Sequence, residues 1–275
     1  MRRRLTPELG ARLSALLPTR YERLGSVLVL RLPPPLRAYA AAIGASYREE
    51  LGVAAVLVRS GPVAGEERHP QLQLVSGTAT ETEVREHGVR YRFDARHIMF
   101  SRGNKSERAR MGRVVGPGEV VADLFAGIGY FALPAAAIGR AARVDACEKN
   151  PEALRYLQQN AVANRVVDRI RIFPGDNRAA PLENGGYDRI FLGLLPSSVP
   201  FIERALPLLR PSGGWMHVHV AAPAHGDAAI ARTEAADAVG RVGGTVLEIA
   251  CRRVKHYGPG RTHLVVDVRA RGAVA

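Results

Sequence analysis

Two cysteines, one tryptophan and three lysines are all that 275 residues contain of these types. With only Cys147 and Cys251, each inside an apolar strand-like run, there is no disulfide framework and no paired-cysteine metal site. Both thiols read as buried and inert, and Trp215 reads as core. Nowhere does an uninterrupted apolar run reach bilayer length. The basic start "MRRRLTPELGARLSALLP" lacks the continuous apolar stretch and small-residue cleavage site of a secretory leader. The expectation is a cytoplasmic chain with no membrane partner. Repeats and low-complexity segments are also lacking, and "NKS" at 104–106 is a chance match to a glycosylation acceptor.

What is present in excess is positive charge. The formal net charge is +13 and the isoelectric point near 10.6, and cationic side chains on phosphates supply most sequence-independent affinity for nucleic acid. Nearly all of it is arginine, whose planar fork suits phosphate, although genome composition alone produces the same bias. The charge is spread along the chain, which indicates a folded basic face and not a disordered arm.

The pattern divides the chain into 1–97 and 98–275. The first part carries strand-like runs "GSVLVLRL" (25–32), "VAAVLVRS" (53–60) and "GVRYRFDA" (88–95) around a helix over 36–52, a small α+β domain. The second alternates strand and helix: "EVVADLF" (119–125), "YFALPAAAIG" (130–139), "ARVDACE" (142–148), "PEALRYLQQNAVAN" (151–164), "RIRIFPG" (169–175), "YDRIFLGLL" (187–195), a helix near 199–209, and "GGWMHVHVA" (213–221). Such alternation predicts an α/β Rossmann-like domain with a mostly parallel sheet. The last runs, "TVLEIACRRV" (245–254) and "THLVVDVRA" (262–270), are separated by "KHYGPG", too short for a crossover helix, so the last strand is expected to be antiparallel.

The stretch "DLFAGIGYF" follows the first strand of the second part. Gly127, Gly129 and Ala132 fit the loose glycine fingerprint of nucleotide sites, where small residues allow a tight turn and close backbone approach. Glu148 ends the next strand, where an acid accepts from ribose hydroxyls in both NAD and S-adenosylmethionine sites. Asp123 ends the first strand and "GDN", Gly175 to Asn177, the third. Three strand-end acids around one glycine turn are the layout of a Rossmann-like S-adenosylmethionine site; the bland alternative is that they merely cap the following helices. Nothing resembles a hydride-handling pair, which disfavours an NAD oxidoreductase. His217 and His219 share one strand face, but no third ligand lies nearby, so no metal is expected.

The segments "HIMFSRGNKSERARMGRVV", "VVADLFAGIGYFALPAA", "ACEKNPEALRYLQQNAVANRVVDRIRIFPGDNR" and "RVKHYGPGRTHLVVDVRA" together resemble the archaeal-type tRNA methyltransferase superfamily that modifies the guanosine 3′ of the anticodon. Within it they are most similar to the wybutosine-pathway aminocarboxypropyltransferase family. "YERLGSVLVLRL" and "GEERHPQLQLVSGTATETEVREHGVRYRFDARHIMFS" extend the likeness through the N-terminal part, from Tyr21 to Arg269. The N1-methyltransferase branch carries an asparagine-proline motif after its fourth strand. This chain has "LGLLPSS" there, Leu192 to Ser198, with neither asparagine nor acid.

The resemblance implies transfer of the 3-amino-3-carboxypropyl group of S-adenosylmethionine to a tricyclic wyosine-type guanine of tRNA-Phe. The rivals are guanine N1-methylation at the same position and a non-catalytic RNA-binding protein on a methyltransferase scaffold. It also implies that Ser101 and Arg108 hold the donor's amino-acid arm. Phe125, Ala126, Gly127 and Gly129 would line the donor loop, Glu148 would accept from the ribose, Asp176 and Asn177 would meet the adenine, and Lys149 would also belong to the cofactor-binding set. No residue reads as a general base. Lys105, Arg110, Arg252, Arg253 and Lys255 are candidate tRNA contacts; the last three, with His256, read equally well as a solvated hairpin loop. The N-terminal domain is expected to contact tRNA.

Overall fold

In the computed structural model, residues 2–62, 65, 69–223 and 228–272 are described. Their packing divides the chain into two compact units, Met1–Phe100 and Ser101–Ala275, against the 97/98 boundary expected from sequence.

In the first unit, α1 (Arg2–Ser14, non-helical at Gly10) precedes β1 (Glu22–Leu24) and β2 (Val27–Leu30). A 3₁₀ turn over Pro34–Tyr39 leads into α2 (Ala40–Leu51), which Gly52 ends in the left-handed conformation at φ 58°. Then come β3 (Ala55–Arg59) and β4 (Leu72–Gly77). The sheet order is β1-β2-β3-β4, with β2 and β3 parallel across the α2 crossover. All four residues of β2 are buried, as expected for a central strand covered on both faces. Leu28, Leu30, Leu36, Ile43, Tyr47 and Val56 form the core. A separate hairpin, β5 (Glu81–Glu86) with β6 (Val89–Asp94), completes the unit.

The second unit opens with α3 (Lys105–Val114) and continues β7 (Val120–Asp123), α4 (Ala132–Ala137), β8 (Arg143–Glu148), α5 (Pro151–Ala163), β9 (Ile170–Pro174) and β10 (Arg189–Leu192). Asn150 caps α5, its side chain accepting from Glu152 N and Ala153 N, with Pro151 at the first helical position. The helix expected near 199–209 is three short pieces, a four-residue α6 (Ile202–Ala205) between 3₁₀ turns, because Pro200 and Pro207 withhold backbone donors. β11 (Gly214–Pro223), α7 (Ala228–Arg241), β12 (Thr245–Gly258) and β13 (Arg261–Arg271) follow. The sheet order is β12-β13-β11-β10-β7-β8-β9, with β13 antiparallel to both of its neighbours. The expected Rossmann-like class and the antiparallel last strand are therefore present.

Three differences concern the end of the chain. α7 occupies a stretch that the sequence reading left empty, and its Ala231, Ala235 and Val239 join the core beside Val218, Val266 and Val268. β12 runs on through Gly258, so Lys255 and His256 are strand residues and not a loop. Cys147 is buried as expected and its thiol is pushed up to about 12, chiefly by burial, whereas Cys251 and Trp215 are only partly buried.

Candidate functional site

Strand order reverses between β7 and β10, and the loops after these two strands flank the crevice where open α/β sheets bind ligands. The glycine turn follows β7. Asp123, fully buried, accepts from Phe125 N through Oδ1 (3.2 Å) and from Ala132 N through Oδ2 (3.1 Å), so one carboxylate holds both ends of the loop. Burial, opposed by those N–H groups, pushes its pKa up to about 7. Gly127 and Gly129 have φ of 55° and 96°; a Cβ would stand 2.5 Å from Tyr130 Cε2 at the first and 2.6 Å from Leu133 Cγ at the second. Both the backbone conformation and the space require glycine.

Glu148, at the end of β8, reaches across to this loop. Its Oε2 accepts from Gly127 N at 2.7 Å and its Oε1 from Asn150 N at 2.8 Å. Burial raises its pKa, and the N–H groups of Asn150, Gly127 and Lys149 oppose that rise. A carboxylate offers about four lone-pair sites, so acceptor capacity remains for a diol. Lys149 itself is exposed.

Beyond β9, Asn177 is 5% exposed; its Nδ2 donates to Leu124 O at 3.1 Å, while its buried Oδ1 has no partner. An orphaned buried acceptor beside the glycine loop fits an amino group such as that of adenine. Asp176, expected to act with it, accepts from Arg178, whose Nε lies 3.0 Å from Oδ1; the guanidinium holds the carboxyl down at about 2.

Further expectations divide in the same way. Arg108 is 2% exposed on α3, and Ser101 Oγ accepts from Lys255 Nζ. Lys105, Arg252 and Arg253 are exposed. Arg110 leaves the set of RNA candidates. It is 8% exposed, with Glu107 (Nη2 to Oε1, 2.7 Å) and Asp267 (Nη1 to Oδ2, 2.8 Å) on its guanidinium, because the spacing that put it on a basic helix face also put it under β13.

The wall beneath is built from His217 and His219 together with Asp267, Arg189, Glu119 and His263, four residues the sequence pattern did not single out. Asp267 on β13 accepts from Arg110 and from His217 Nδ1 (2.6 Å), and Arg189 Nη1 donates to His217 Nε2 (2.8 Å) while its other nitrogens hold Glu119. Burial lowers the pKa of His217; the Asp267 carboxylate opposes this, and Arg189 adds to the lowering, since a proton on Nε2 would face a donor. His219 Nδ1 bonds His263 Nε2 at 2.9 Å, and burial takes its pKa down to about 3. Paired histidines on facing strands were not visible as a pair in the sequence. Among the described residues no cluster has the makings of a metal site.

The loop after β10 is held by Ser198, fully buried, whose Oγ lies 2.7 Å from Leu192 O and 3.0 Å from His219 O and accepts from His219 N. Leu195–Pro196 is cis. The loop's Leu194 and Leu195 stay partly exposed.

Residues 82–241 match the family model described as the TRM5/TYW2 methyltransferase domain, and residues 1–80 match the TYW2 N-terminal domain. The chain belongs to the TYW2 family. The tRNA(Phe) (4-demethylwyosine(37)-C(7)) aminocarboxypropyltransferase of Pyrococcus horikoshii is 39% identical over 269 residues, covering 96% of this chain and 94% of that protein. The crystal structure of P. horikoshii TYW2 in complex with MeSAdo superposes with a TM-score of 0.89 at 35% identity, over 98% of this chain and 97% of that one. Trm5b from Pyrococcus abyssi aligns with a TM-score of 0.81 at 29% identity, over 95% of this chain and 78% of that one. TYW2 and Trm5 thus share this fold.

Proposed function

We propose that this chain transfers the 3-amino-3-carboxypropyl group of S-adenosylmethionine to carbon 7 of 4-demethylwyosine at position 37 of tRNA(Phe). The observation that carries it is the 39% identity, over nearly the whole of both chains, to an enzyme of that name. The site supports it. Glu148 accepts from the ribose, the glycine loop admits the nucleoside, Asn177 Oδ1 accepts from the adenine amino group, and Ser101 and Arg108 take the amino-acid arm. Phe125, Ala126 and Lys149 complete the donor's surroundings. Asp176 contributes by fixing Arg178 and the turn.

The sulfonium activates three carbons, and the one transferred is the one aligned with the nucleophile. Here ring carbon 7 attacks the methylene attached to sulfur, the carbon–sulfur bond breaks with its electron pair going to sulfur, and methylthioadenosine leaves. The proton on carbon 7 then passes to water, and the C–H bonding pair returns to the ring and restores its aromaticity. Catalysis is orientation plus the sulfonium's own electrophilicity.

The loop after β10 favours this over N1-methylation. Removing the N1 proton of guanine calls for a polar partner, and Leu192 to Ser198 offers no amide or carboxylate; the Ser198 hydroxyl is occupied by backbone carbonyls. The basic balance, exposed Lys105, Arg252 and Arg253, and the N-terminal unit would hold the tRNA. No helix among the described residues is long and apolar enough to cross a membrane.

The test is incubation with S-adenosylmethionine and tRNA(Phe) bearing 4-demethylwyosine, with the nucleoside by-product identified by mass spectrometry. Methylthioadenosine is expected; adenosylhomocysteine would move the assignment to methylation.

A further inference from the structure

Lys255 is turned inward by the fold. Along the ladder between β12 and β13, Arg252 lies opposite Val265 and Arg253 opposite Leu264, but Lys255 lies opposite His263, Val254 being taken up as an extra residue. Residues directly opposite share a face of the sheet, and successive residues alternate. Val265 and His263 belong to the face of Asp267, which Arg110 of α3 reaches; Leu264 belongs to the other, packed with Val266 and Val268 in the core. The bulge therefore puts Lys255 on the α3 side and separates it from Arg253, as bulges re-aim side chains. There its Nζ donates to Ser101 Oγ, and its stem lies over Gly103, where a Cβ would stand 2.8 Å from Lys255 Cδ.

We propose that Lys255 and Ser101 together form the seat for the carboxylate of the donor's amino-acid arm, so that Lys255 is a donor-binding residue and not a tRNA contact. This rests on the donor-site reading above and deepens it. An ammonium only donates, so Ser101 Oγ is the acceptor of the pair and its own hydrogen is directed elsewhere. A hydroxyl that accepts from a cation is polarised into a better donor. The pair thus presents an O–H donor and a positive charge side by side, which attracts a carboxylate and repels an α-ammonium. The arm carries one of each on the same carbon, and Lys255 decides which of them meets Ser101. Anchored by its carboxylate, the arm is held at its far end, and its length sets where the reacting methylene lies.

Calorimetry on the full chain with S-adenosylmethionine and with methylthioadenosine, which lacks the arm, separates the alternatives. Lys255→Met is expected to weaken S-adenosylmethionine by about 10- to 100-fold, the worth of one or two hydrogen bonds to a charged group. Methylthioadenosine should stay within about twofold, which also reports that the variant is folded. Ser101→Ala should reproduce the selective loss, and the double variant should lose less than the two added, because the residues act as one seat. Equal loss of both ligands, or a loss confined to tRNA affinity, overturns the proposal. A wild-type chain that binds neither nucleoside overturns the donor-site reading along with it.

Discussion

His217 donates from Nδ1 to Asp267 Oδ1 over 2.6 Å, and this contact joins β11 and β13 at the centre of a buried charge network. Arg110, Glu107, Arg189 and Glu119 complete it through hydrogen bonds of 2.7 to 3.1 Å. Every charged member has an opposite partner, which is the condition for burying such groups. The network ties α3, and so the segment that begins at Ser101, to the last strand of the sheet.

Asp267→Ala should therefore destabilise the second unit strongly. Removing one member leaves Arg110 short of a counter-charge and His217 Nδ1 without an acceptor, an effect of about 3–5 kcal/mol. Chemical denaturation measures it; a loss under about 1 kcal/mol would mean that the network is slack.

Acid should unfold the protein early. Burial lowers the pKa of His217 and takes that of His219 down to about 3, so below the ordinary histidine value of about 6.5 the unfolded chain binds protons that the folded one refuses. Burial would raise Asp267, but the hydrogen bonds from His217 and Arg110 and the charge of Arg110 reverse this and hold it at about 2. Its contribution is present above the unfolded carboxyl value near 4 and disappears as pH falls toward 2. Asp123 and Glu148, whose carboxyls burial raises, take up protons on folding below about pH 7 and offset part of this, so the net fall should be shallow between about pH 6.5 and 4 and steeper below about pH 4, where Asp267 titrates. In His219→Phe the slope between about pH 6 and 3 should be shallower; an unchanged slope refutes the assignment.

Glu148→Gln should weaken S-adenosylmethionine by about 10-fold or more. The amide that replaces one carboxylate oxygen faces either Gly127 N or Asn150 N, both donors, and the charge that holds the loop is lost. Isothermal titration checks this, and unaltered affinity would remove Glu148 from the donor site.

Gly129→Ala should be worse than its size implies. The residue sits at φ 96° with Leu133 Cγ 2.6 Å from the new methyl group, a backbone strain of about 1–2 kcal/mol with a clash added. Both the melting temperature and donor affinity should drop; a variant that binds the donor normally would show the loop to be pliable.

Arg252→Ala with Arg253→Ala should weaken tRNA without touching the donor. Both are exposed, and loss of two phosphate contacts should lower the salt dependence of tRNA affinity by about two units of slope. A filter-binding series in salt reads this, and an unchanged slope excludes them from the interface.

Much was legible from residue order alone. The alternation of strands and helices, the glycines at 127 and 129 and the acid at 148 sit at fixed offsets along single elements, so the Rossmann-like class, the tight glycine turn after β7 and the carboxylate at the end of β8 could be read directly. The short separation of the last two strands likewise implied their antiparallel pairing. Facing was not legible. Arg110 looked like one more helix cation until β13 brought Asp267 over it. His219 and His263 stand on strands separated by α7, which was itself missed, and meet only across the sheet. Lys255 follows two arginines in the chain, yet one extra residue in the ladder reverses its face and sends it to Ser101. Local spacing along a chain determines which element a residue occupies; which neighbour its side chain meets depends on register between distant strands, and that is decided only when the sheet closes.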